Sequence, residues 1–187
     1  MTSIVLVGPR CVGKSETGQI LSGIWSLPFI DADRVFERTY GPVKRFVRKN
    51  GWPKFRMRES KILSEIFTGY SHNGVVLAPG GGAVAHDQGE TYRAQNAELL
   101  KDFGNIVYLL PTESLEESAR ILTARMANDT RSTGQRPSLT QAGTQYEEML
   151  QTLRKRDPLY REAAHHVFYT RDFNPAQVAW CITDLVR

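Results

Sequence analysis

A glycine-rich loop near the start of the chain constrains the fold more than any other feature. The apolar run Ser3–Val7 is followed at once by Gly8-Pro9-Arg10-Cys11-Val12-Gly13-Lys14-Ser15, which has the spacing G-x-x-x-x-G-K-S. Glycines let the loop backbone turn its N–H groups toward phosphate oxygens, the lysine reaches the terminal phosphates, and the serine hydroxyl is a ligand for Mg²⁺. A helix that begins near Lys14 adds the positive end of its dipole. The sequence therefore predicts a P-loop (residues 8–15) that binds nucleotide phosphates between a buried strand and a helix.

The length and composition are those of one globular α/β domain. The chain has 187 residues and a formal net charge of +4. Its arginines and lysines are scattered, without a basic stripe interleaved with aromatic residues, so we expect an anionic small-molecule substrate with ATP and no nucleic acid. No apolar run approaches the roughly 20 residues of a membrane span, and no signal-type stretch precedes the first strand. We therefore expect a cytoplasmic monomer without membrane contact.

Strand-like and helix-like segments alternate along the chain. The predicted strands are 4–7, 27–30, 75–78, 105–110 and 167–169. The predicted helices are 14–25, 34–67 with interruptions, 90–103, 112–128, 146–164 and a last helix that begins at Asn174-Pro175. This alternation predicts an α/β fold, in which a parallel sheet carries helices on both faces.

Two acidic residues and three glycines follow predicted strands. Asp31 and Asp33 come after strand 27–30, and Gly80-Gly81-Gly82 comes after strand 75–78. Ligands of open α/β sheets bind at the carboxyl ends of the strands, so both segments are expected at a binding site. Three successive glycines indicate close approach of a ligand to the backbone, although such a run alone is also compatible with a flexible turn.

Two segments depart from the regular alternation. Residues 34–67 are polar and basic, and glycine and proline interrupt their helical pattern at 41–42 and 51–53, which indicates a small lobe on the substrate side. Residues 126–143 are mostly polar with glycine and proline, which is typical of a loop. Arg131 and Arg136 within it suggest a lid that closes over phosphates. The expected core of the single domain is 1–33, 68–125 and 144–187.

Five features in a fixed order after the P-loop resemble the shikimate kinase family. They are Asp31-x-Asp33, Phe55-Arg56-x-x-Glu59, Gly80-Gly81-Gly82, Arg136-Pro137 and Arg156-x-Pro158-x-Tyr160. The resemblance covers nearly the whole chain, and Gly51-Trp52-x-x-Phe55-Arg56 also looks like the kinase segment of the fused fungal shikimate-pathway polypeptide. It implies a three-layer fold similar to nucleoside monophosphate kinases, with a five-stranded parallel sheet, a substrate lobe and a lid. It also implies phosphorylation of the 3-hydroxyl of shikimate by ATP with Mg²⁺, on the route to chorismate and aromatic amino acids.

The resemblance implies a role for each candidate site residue. Those expected to carry catalysis are Lys14, Asp33 and Arg136. Those expected to bind the nucleotide are Gly8, Cys11, Val12, Gly13, Lys14, Ser15 and Glu16, with Arg125 and Pro175 on either side of the adenine. Those expected to bind shikimate are Asp33, Arg56, Gly80, Gly81, Gly82, Arg136 and Arg156. Mg²⁺ is expected on Ser15 and, through water, on Asp31.

Residue chemistry agrees with these roles. The planar guanidinium of arginine makes two parallel hydrogen bonds to a carboxylate, which suits Arg56 and Arg156 for the carboxylate of shikimate. Asp33 would accept a hydrogen bond from the reacting hydroxyl and act as general base, and Glu59 would orient Arg56. Arg136 would move onto the transferring phosphoryl group, because phosphoryl transfer needs alignment and charge stabilisation more than covalent help.

The sequence departs from the family pattern at three places, and it leaves alternatives open. Cys11 stands where the family usually has glycine, Glu16 stands where a second hydroxyl residue is usual, and the segment around Arg136 is longer than usual. The first alternative is a related kinase of another small polyol acid, such as quinate or gluconate. The second is a non-catalytic nucleotide-binding homologue, against which the presence of Lys14, Asp33 and Arg136 argues.

Overall fold

A five-stranded parallel sheet forms the centre of the molecule. The computed structural model describes residues 3–86, 90–128 and 143–187. The strands are β1 (Ser3–Val7), β2 (Phe29–Asp31), β3 (Val76–Ala78), β4 (Gly104–Leu110) and β5 (His166–Tyr169). Their order across the sheet is β2-β3-β1-β4-β5, and every neighbouring pair is parallel. The predicted five-stranded parallel sheet is confirmed.

Helices connect these strands. In the described parts of the chain they are α1 (Lys14–Trp25), α2 (Ala32–Tyr40), α3 (Val43–Tyr70), α4 (Glu90–Phe103), α5 (Leu115–Asn128), α6 (Gln145–Ala163) and α7 (Pro175–Val186). Helix α1 packs against α7, α5 packs against α6, and α3 packs against both α2 and α4. Within the described residues, no helix combines the length and apolarity needed to cross a bilayer.

The core lies on the three inner strands β3, β1 and β4, and all three residues of β3 are buried. All five residues of β1 are buried, as are the last five of β4. Side chains of a strand alternate between the two faces of a sheet, so burial of every residue means that both faces are covered. This explains why β1 and β4 are continuous apolar runs, and it confirms the predicted layers of helices on both sides.

The loops that follow β1, β2 and β3 meet at one edge of the sheet. The P-loop follows β1, Asp33 follows β2, and residues 80–82, which we call the glycine segment, follow β3. Asp31 of β2 pairs with Ala78 of β3, so the loops that follow these two strands begin side by side. The carboxyl ends of parallel strands thus bring together the three predicted site segments.

Local sequence explains where several helices begin and end. Gly41 and Pro42 separate α2 from α3, and Gly51, with φ +80° and ψ 164°, interrupts α3 itself. Pro53 follows this break in the first turn of the resumed helix, where a missing backbone N–H costs little. Asn174 caps α7 in a capping box with Gln177. The predicted interruptions and the predicted cap are confirmed.

Two helix starts differ from the prediction by more than one residue, and α6 begins one residue earlier than predicted. Helix α2 begins at Ala32 because the Asp31 side chain caps it by accepting from the Arg34 backbone N–H, so Asp33 lies in the first helical turn. Helix α5 begins at Leu115, not at 112, because the Ser114 hydroxyl accepts from the Glu117 N–H as an N-cap. The predicted lid falls mainly on residues 129–142, so Arg131 and Arg136 lie outside the described residues.

Candidate active site

The P-loop has the backbone that its glycines predict. Gly8 and Gly13 have φ values of +141° and +103°, which side chains with a Cβ rarely adopt. Cys11 also has a positive φ, +59°, and it is the position where a glycine was expected from the family pattern. The loop therefore makes a left-handed turn at residue 11 with a cysteine, although a glycine would adopt this conformation without strain.

The Lys14 ammonium lies inside the curve of the P-loop. Its Nζ donates to the Gly8 carbonyl oxygen at 2.8 Å and to the Pro9 carbonyl oxygen at 2.6 Å. Helix α1 starts at this lysine, so the backbone N–H groups of its first turn face the same loop. The loop thus presents a cation and a helix N-terminus together, which is the arrangement that binds phosphate.

Ser15 and Asp31 form an oxygen pair beside the P-loop. The Ser15 hydroxyl donates to Asp31 Oδ2 at 2.8 Å, which joins the start of α1 to the end of β2. Within the described residues, no three His, Cys, Asp or Glu side chains are grouped to hold a metal. Mg²⁺ is usually bound by one or two protein oxygens with waters and substrate phosphates, so this hydroxyl–carboxylate pair fits that ion.

A cleft opens next to the P-loop. Its lining comprises Arg10, Asp33, Val43, Trp52, Phe55, Arg56, Glu59, Gly81, Gly82 and Arg156. The lining thus combines three arginines and two carboxylates with an apolar wall from α3. Arg10 belongs to both the P-loop and this lining, so the phosphate site and the cleft adjoin. The cleft suits a small anion that also carries hydroxyl groups.

Arg56 is held in the cleft wall by one carboxylate and two aromatic rings. Its Nη1 donates to Glu59 Oε2 at 2.7 Å, and both side chains are buried. The guanidinium carbon lies 5.2 Å from the ring centre of Trp52 and 5.1 Å from that of Phe55, within cation–π range. Burial raises the pKa of Glu59, and the nearby Arg56 charge opposes this rise. The predicted contact of Glu59 with Arg56 is present.

The glycine segment makes room for two side chains of the cleft. A Cβ on Gly82 would lie 2.6 Å from both terminal nitrogens of Arg56, and one on Gly80 would lie 2.9 Å from Asp33 Oδ1. Gly80 also has a φ of +88°. Real Cβ atoms do not approach so closely, so Arg56 and Asp33 occupy space that only glycine leaves open. The predicted close approach of a ligand stays a prediction, and the neighbours of these glycines within the chain are the two side chains.

Helix α6 closes the cleft from the other side. Arg156 Nη1 donates to the Gly81 carbonyl oxygen at 3.0 Å. The Tyr160 hydroxyl, one helical turn further along, donates to the same oxygen. The structure therefore brings together Asp33, Arg56, Arg156 and the glycine segment in one cleft, as predicted.

The two residues expected at the adenine lie outside this cleft. Arg125 is half-buried in the last turn of α5, and Pro175 begins α7; neither lines the cleft. Their contact with adenine stays a prediction. Sequence reasoning gave no role to Arg10 or Val43, although Arg10 occupies a variable position of the P-loop, where a charged residue is a usable signal.

Comparison with known proteins identifies the family. A family model described as shikimate kinase matches residues 10–187. The chain belongs to the shikimate kinase family. Among curated members, "Shikimate kinase 2" of Yersinia enterocolitica is 37% identical over 167 residues, which cover 88% of this chain and 84% of that protein. "Shikimate kinase 2" of Syntrophotalea carbinolica is 36% identical over 166 residues, with 88% and 86% covered.

Solved structures of the shikimate kinase family have the same fold. Shikimate kinase from Acinetobacter baumannii, solved in complex with shikimate, superposes with a TM-score of 0.80 at 32% identity, covering 100% of this chain and 93% of that one. Shikimate kinase from Bacteroides thetaiotaomicron superposes with a TM-score of 0.74 at 26% identity, covering 98% and 96%. The resemblance stated from the sequence motifs is confirmed.

Proposed function

We propose that this protein is a shikimate kinase that transfers the γ-phosphoryl group of ATP to the 3-hydroxyl of shikimate, giving shikimate 3-phosphate and ADP. The observation that carries the proposal is the arginine-rich cleft beside the P-loop, with Arg10 in both. A phosphate donor in the loop and an acidic acceptor in the cleft would then be neighbours. The family relationship and the shikimate-bound relative support the same substrate.

The carboxylate of shikimate is bound by Arg56 and Arg156 in this proposal. Arg56 is held in place by Glu59 and by the faces of Trp52 and Phe55, so little conformational entropy is lost when it binds. The apolar wall of the cleft excludes water and strengthens these ion pairs. A second arginine from α6 would complete a clamp that fixes the orientation of the substrate ring.

Asp33 acts on the reacting hydroxyl. It lines the cleft from the first turn of α2, and its carboxylate lies beside Gly80. From there it would accept a hydrogen bond from the 3-hydroxyl and take its proton as the phosphoryl group is transferred. The glycine segment leaves the space that this carboxylate needs.

The nucleotide is bound by the P-loop through Gly8, Cys11, Val12, Gly13, Lys14, Ser15 and Glu16. Lys14 would exchange the Gly8 and Pro9 carbonyl oxygens for the terminal phosphates, and the first turn of α1 would add backbone N–H donors. Ser15 and, through water, Asp31 would hold Mg²⁺, which would neutralise phosphate charge. Arg125 and Pro175 would flank the adenine, and Arg136 would stabilise the transferring group.

Residues 34–67 serve as the substrate lobe and 126–143 as the lid of a single domain in this proposal. Lid closure over the two substrates would exclude water and so limit hydrolysis of ATP. We further propose that the protein works as a cytoplasmic monomer.

A coupled assay of ADP release, with Mg²⁺ and each of three acids, tests the proposal. Shikimate is expected to raise ADP release far above the rate with ATP alone, and quinate and gluconate are not. Stimulation by quinate or gluconate but not by shikimate would assign the protein to another polyol acid. Background rates with all three acids would indicate a non-catalytic nucleotide-binding protein.

A further inference from the structure

A buried tyrosine lies directly behind the glycine segment. Tyr160 has no exposed surface, and its hydroxyl is hydrogen-bonded to the Gly81 carbonyl oxygen. A carbonyl oxygen only accepts, so the tyrosine O–H is the donor. Arg156 Nη1 donates to the same oxygen at 3.0 Å. The Gly81 carbonyl therefore has two donors from α6, and one of them is the arginine proposed to bind substrate.

A substrate carboxylate would compete with the Gly81 carbonyl for Arg156 but not for Tyr160. A carboxylate accepts a charge-assisted hydrogen bond from arginine that is stronger than the bond to a neutral carbonyl. Arg156 would therefore turn from Gly81 toward the substrate, and the half-buried carbonyl would lose its charged donor. Tyr160 is fully buried and does not line the cleft, so a substrate carboxylate there does not compete for its hydroxyl.

The Gly81 carbonyl also sets the direction of the next backbone N–H. The chain has no cis peptide among its described residues, so the Gly82 N–H points away from the side on which the Gly81 carbonyl meets Tyr160. Gly82 lines the cleft, and its Cα faces the terminal nitrogens of Arg56. A hydrogen bond that holds the Gly81 carbonyl therefore also holds the Gly82 N–H, and it holds the backbone of Gly82 at its distance from the Arg56 guanidinium.

The ring of Tyr160 is itself held rigidly. It stacks on Tyr108 at 4.9 Å between ring centres and an interplanar angle of 29°. The Tyr108 hydroxyl donates to Asp157 at 3.1 Å, and Asp157 also accepts from Arg161 at 2.9 Å. Burial raises the pKa of Tyr160, although the charge of Arg156 and its hydrogen bond to the tyrosine oppose this rise, so the hydroxyl remains protonated and can donate.

We propose that Tyr160 is a positioning residue for the acidic substrate, because its hydroxyl holds the Gly81 carbonyl and thereby allows Arg156 to leave that carbonyl for the substrate carboxylate. This inference rests on the proposed function. Without the hydroxyl, Arg156 would be the remaining α6 donor to Gly81, and the carbonyl would compete with the substrate for it.

Steady-state kinetics of Tyr160→Phe, with Tyr108→Phe as matched control, test the inference. Both variants remove one hydroxyl from the same buried ring pair, but that of Tyr108 donates to Asp157 and not to the glycine segment. Tyr160→Phe is expected to raise the KM for shikimate about 3- to 10-fold, the size of one net hydrogen bond, with kcat and the KM for ATP nearly unchanged. Tyr108→Phe is expected to leave the KM for shikimate at the wild-type value.

A double-mutant cycle with Arg156→Ala distinguishes positioning from a general structural role. If Tyr160 acts through Arg156, adding Tyr160→Phe to Arg156→Ala lowers kcat/KM for shikimate much less than it does in the wild type. The inference would be overturned if Tyr160→Phe lowered kcat/KM for shikimate as much in the Arg156→Ala background as in the wild type. It would also be overturned if Tyr108→Phe raised the KM for shikimate equally, or if Tyr160→Phe raised the KM for ATP as much as that for shikimate. Wild-type protein without shikimate-dependent turnover would instead overturn the proposed function on which it rests.

Discussion

At the scale of single residues, Asp33 carries the chemistry of the proposed reaction. It lies in the first turn of α2 and lines the cleft beside the glycine segment. Asp33→Asn keeps the shape of the side chain but removes the proton acceptor. We expect kcat for shikimate to fall on the order of 100-fold or more, with a much smaller change in the KM for ATP.

The exposed Asp184 of α7 offers a matched control for this substitution. Asp184→Asn makes the same chemical change far from the cleft, where only a 3.9 Å surface ion pair to Arg187 is involved. It is expected to leave kcat at the wild-type value. A near-normal kcat for Asp33→Asn, measured on protein that unfolds at the wild-type temperature, would rule out the role of general base.

Glu59 gives the stability of the fold a predictable pH dependence. Burial raises its pKa above the ordinary value of 4.5, so the unfolded chain ionises this group before the folded protein does. The contribution of Glu59 to stability is therefore full below that ordinary pKa and is lost as pH rises through the raised value. Glu59→Gln removes this titration.

Thermal unfolding of both proteins from about pH 4 to about pH 8 measures this difference. The Tm of the wild type minus that of Glu59→Gln is expected to decrease as pH rises and then to level off. A difference that grows with pH would mean that the Arg56 ion pair outweighs burial and that the pKa of Glu59 is lowered.

The P-loop spacing predicted the phosphate site, and the family resemblance predicted the roles of the other site residues. Lys14 and Ser15 were assigned by the spacing of the P-loop, since that spacing reflects a fixed backbone geometry. The contact between Glu59 and Arg56 was predicted with the roles that the family resemblance implies, and the spacing of three residues on one helix allows it. The charge of Arg10 at a variable P-loop position was a usable signal, but its place in the cleft depends on α3 and α6, which are distant in sequence.

At the scale of elements, the glycine segment and α3 fit each other closely. A Cβ on Gly82 would lie 2.6 Å from both terminal nitrogens of Arg56, which Glu59 and two aromatic rings hold in place. Gly82→Ala must therefore displace the guanidinium, at a cost of roughly 1–3 kcal/mol for overpacking. We expect the KM for shikimate to rise about tenfold or more, and the KM for ATP to change little.

Gly69, in the last turns of α3, provides the control for this substitution. A Cβ there meets no atom within 4 Å, and the position is helical. Gly69→Ala is expected to stabilise the protein by about 0.5–1 kcal/mol and to leave both KM values unchanged. Wild-type shikimate kinetics for Gly82→Ala would contradict the packing described for the cleft.

Most elements were predictable because their signals are local. The buried strands, the glycine and proline breaks in residues 34–67, and the Asn174 cap follow from neighbours in sequence. The start of α2 was misplaced because Asp31 serves both as the last strand residue and as the helix cap. The packing of Gly82 against Arg56 was not predictable, since it depends on two elements that meet only in the folded sheet.

At the scale of the whole molecule, the order β2-β3-β1-β4-β5 is what assembles the site. It places the P-loop, Asp33 and the glycine segment at one edge of the sheet, and α3 and α6 close the cleft around them. The alternation of strands and helices predicted a parallel sheet but not this strand order. The order depends on long-range pairing, for which single segments carry no signal.

The reaction product tests the central claim most directly. Shikimate, ATP and Mg²⁺ are incubated with the wild type and with Lys14→Met, and phosphorus NMR and mass spectrometry identify what is formed. The wild type is expected to convert shikimate into a phosphomonoester at its 3-hydroxyl with one ADP for each product, and Lys14→Met is expected to form none. Release of inorganic phosphate without phosphorylated shikimate, or phosphorylation of another hydroxyl, would contradict the proposed function.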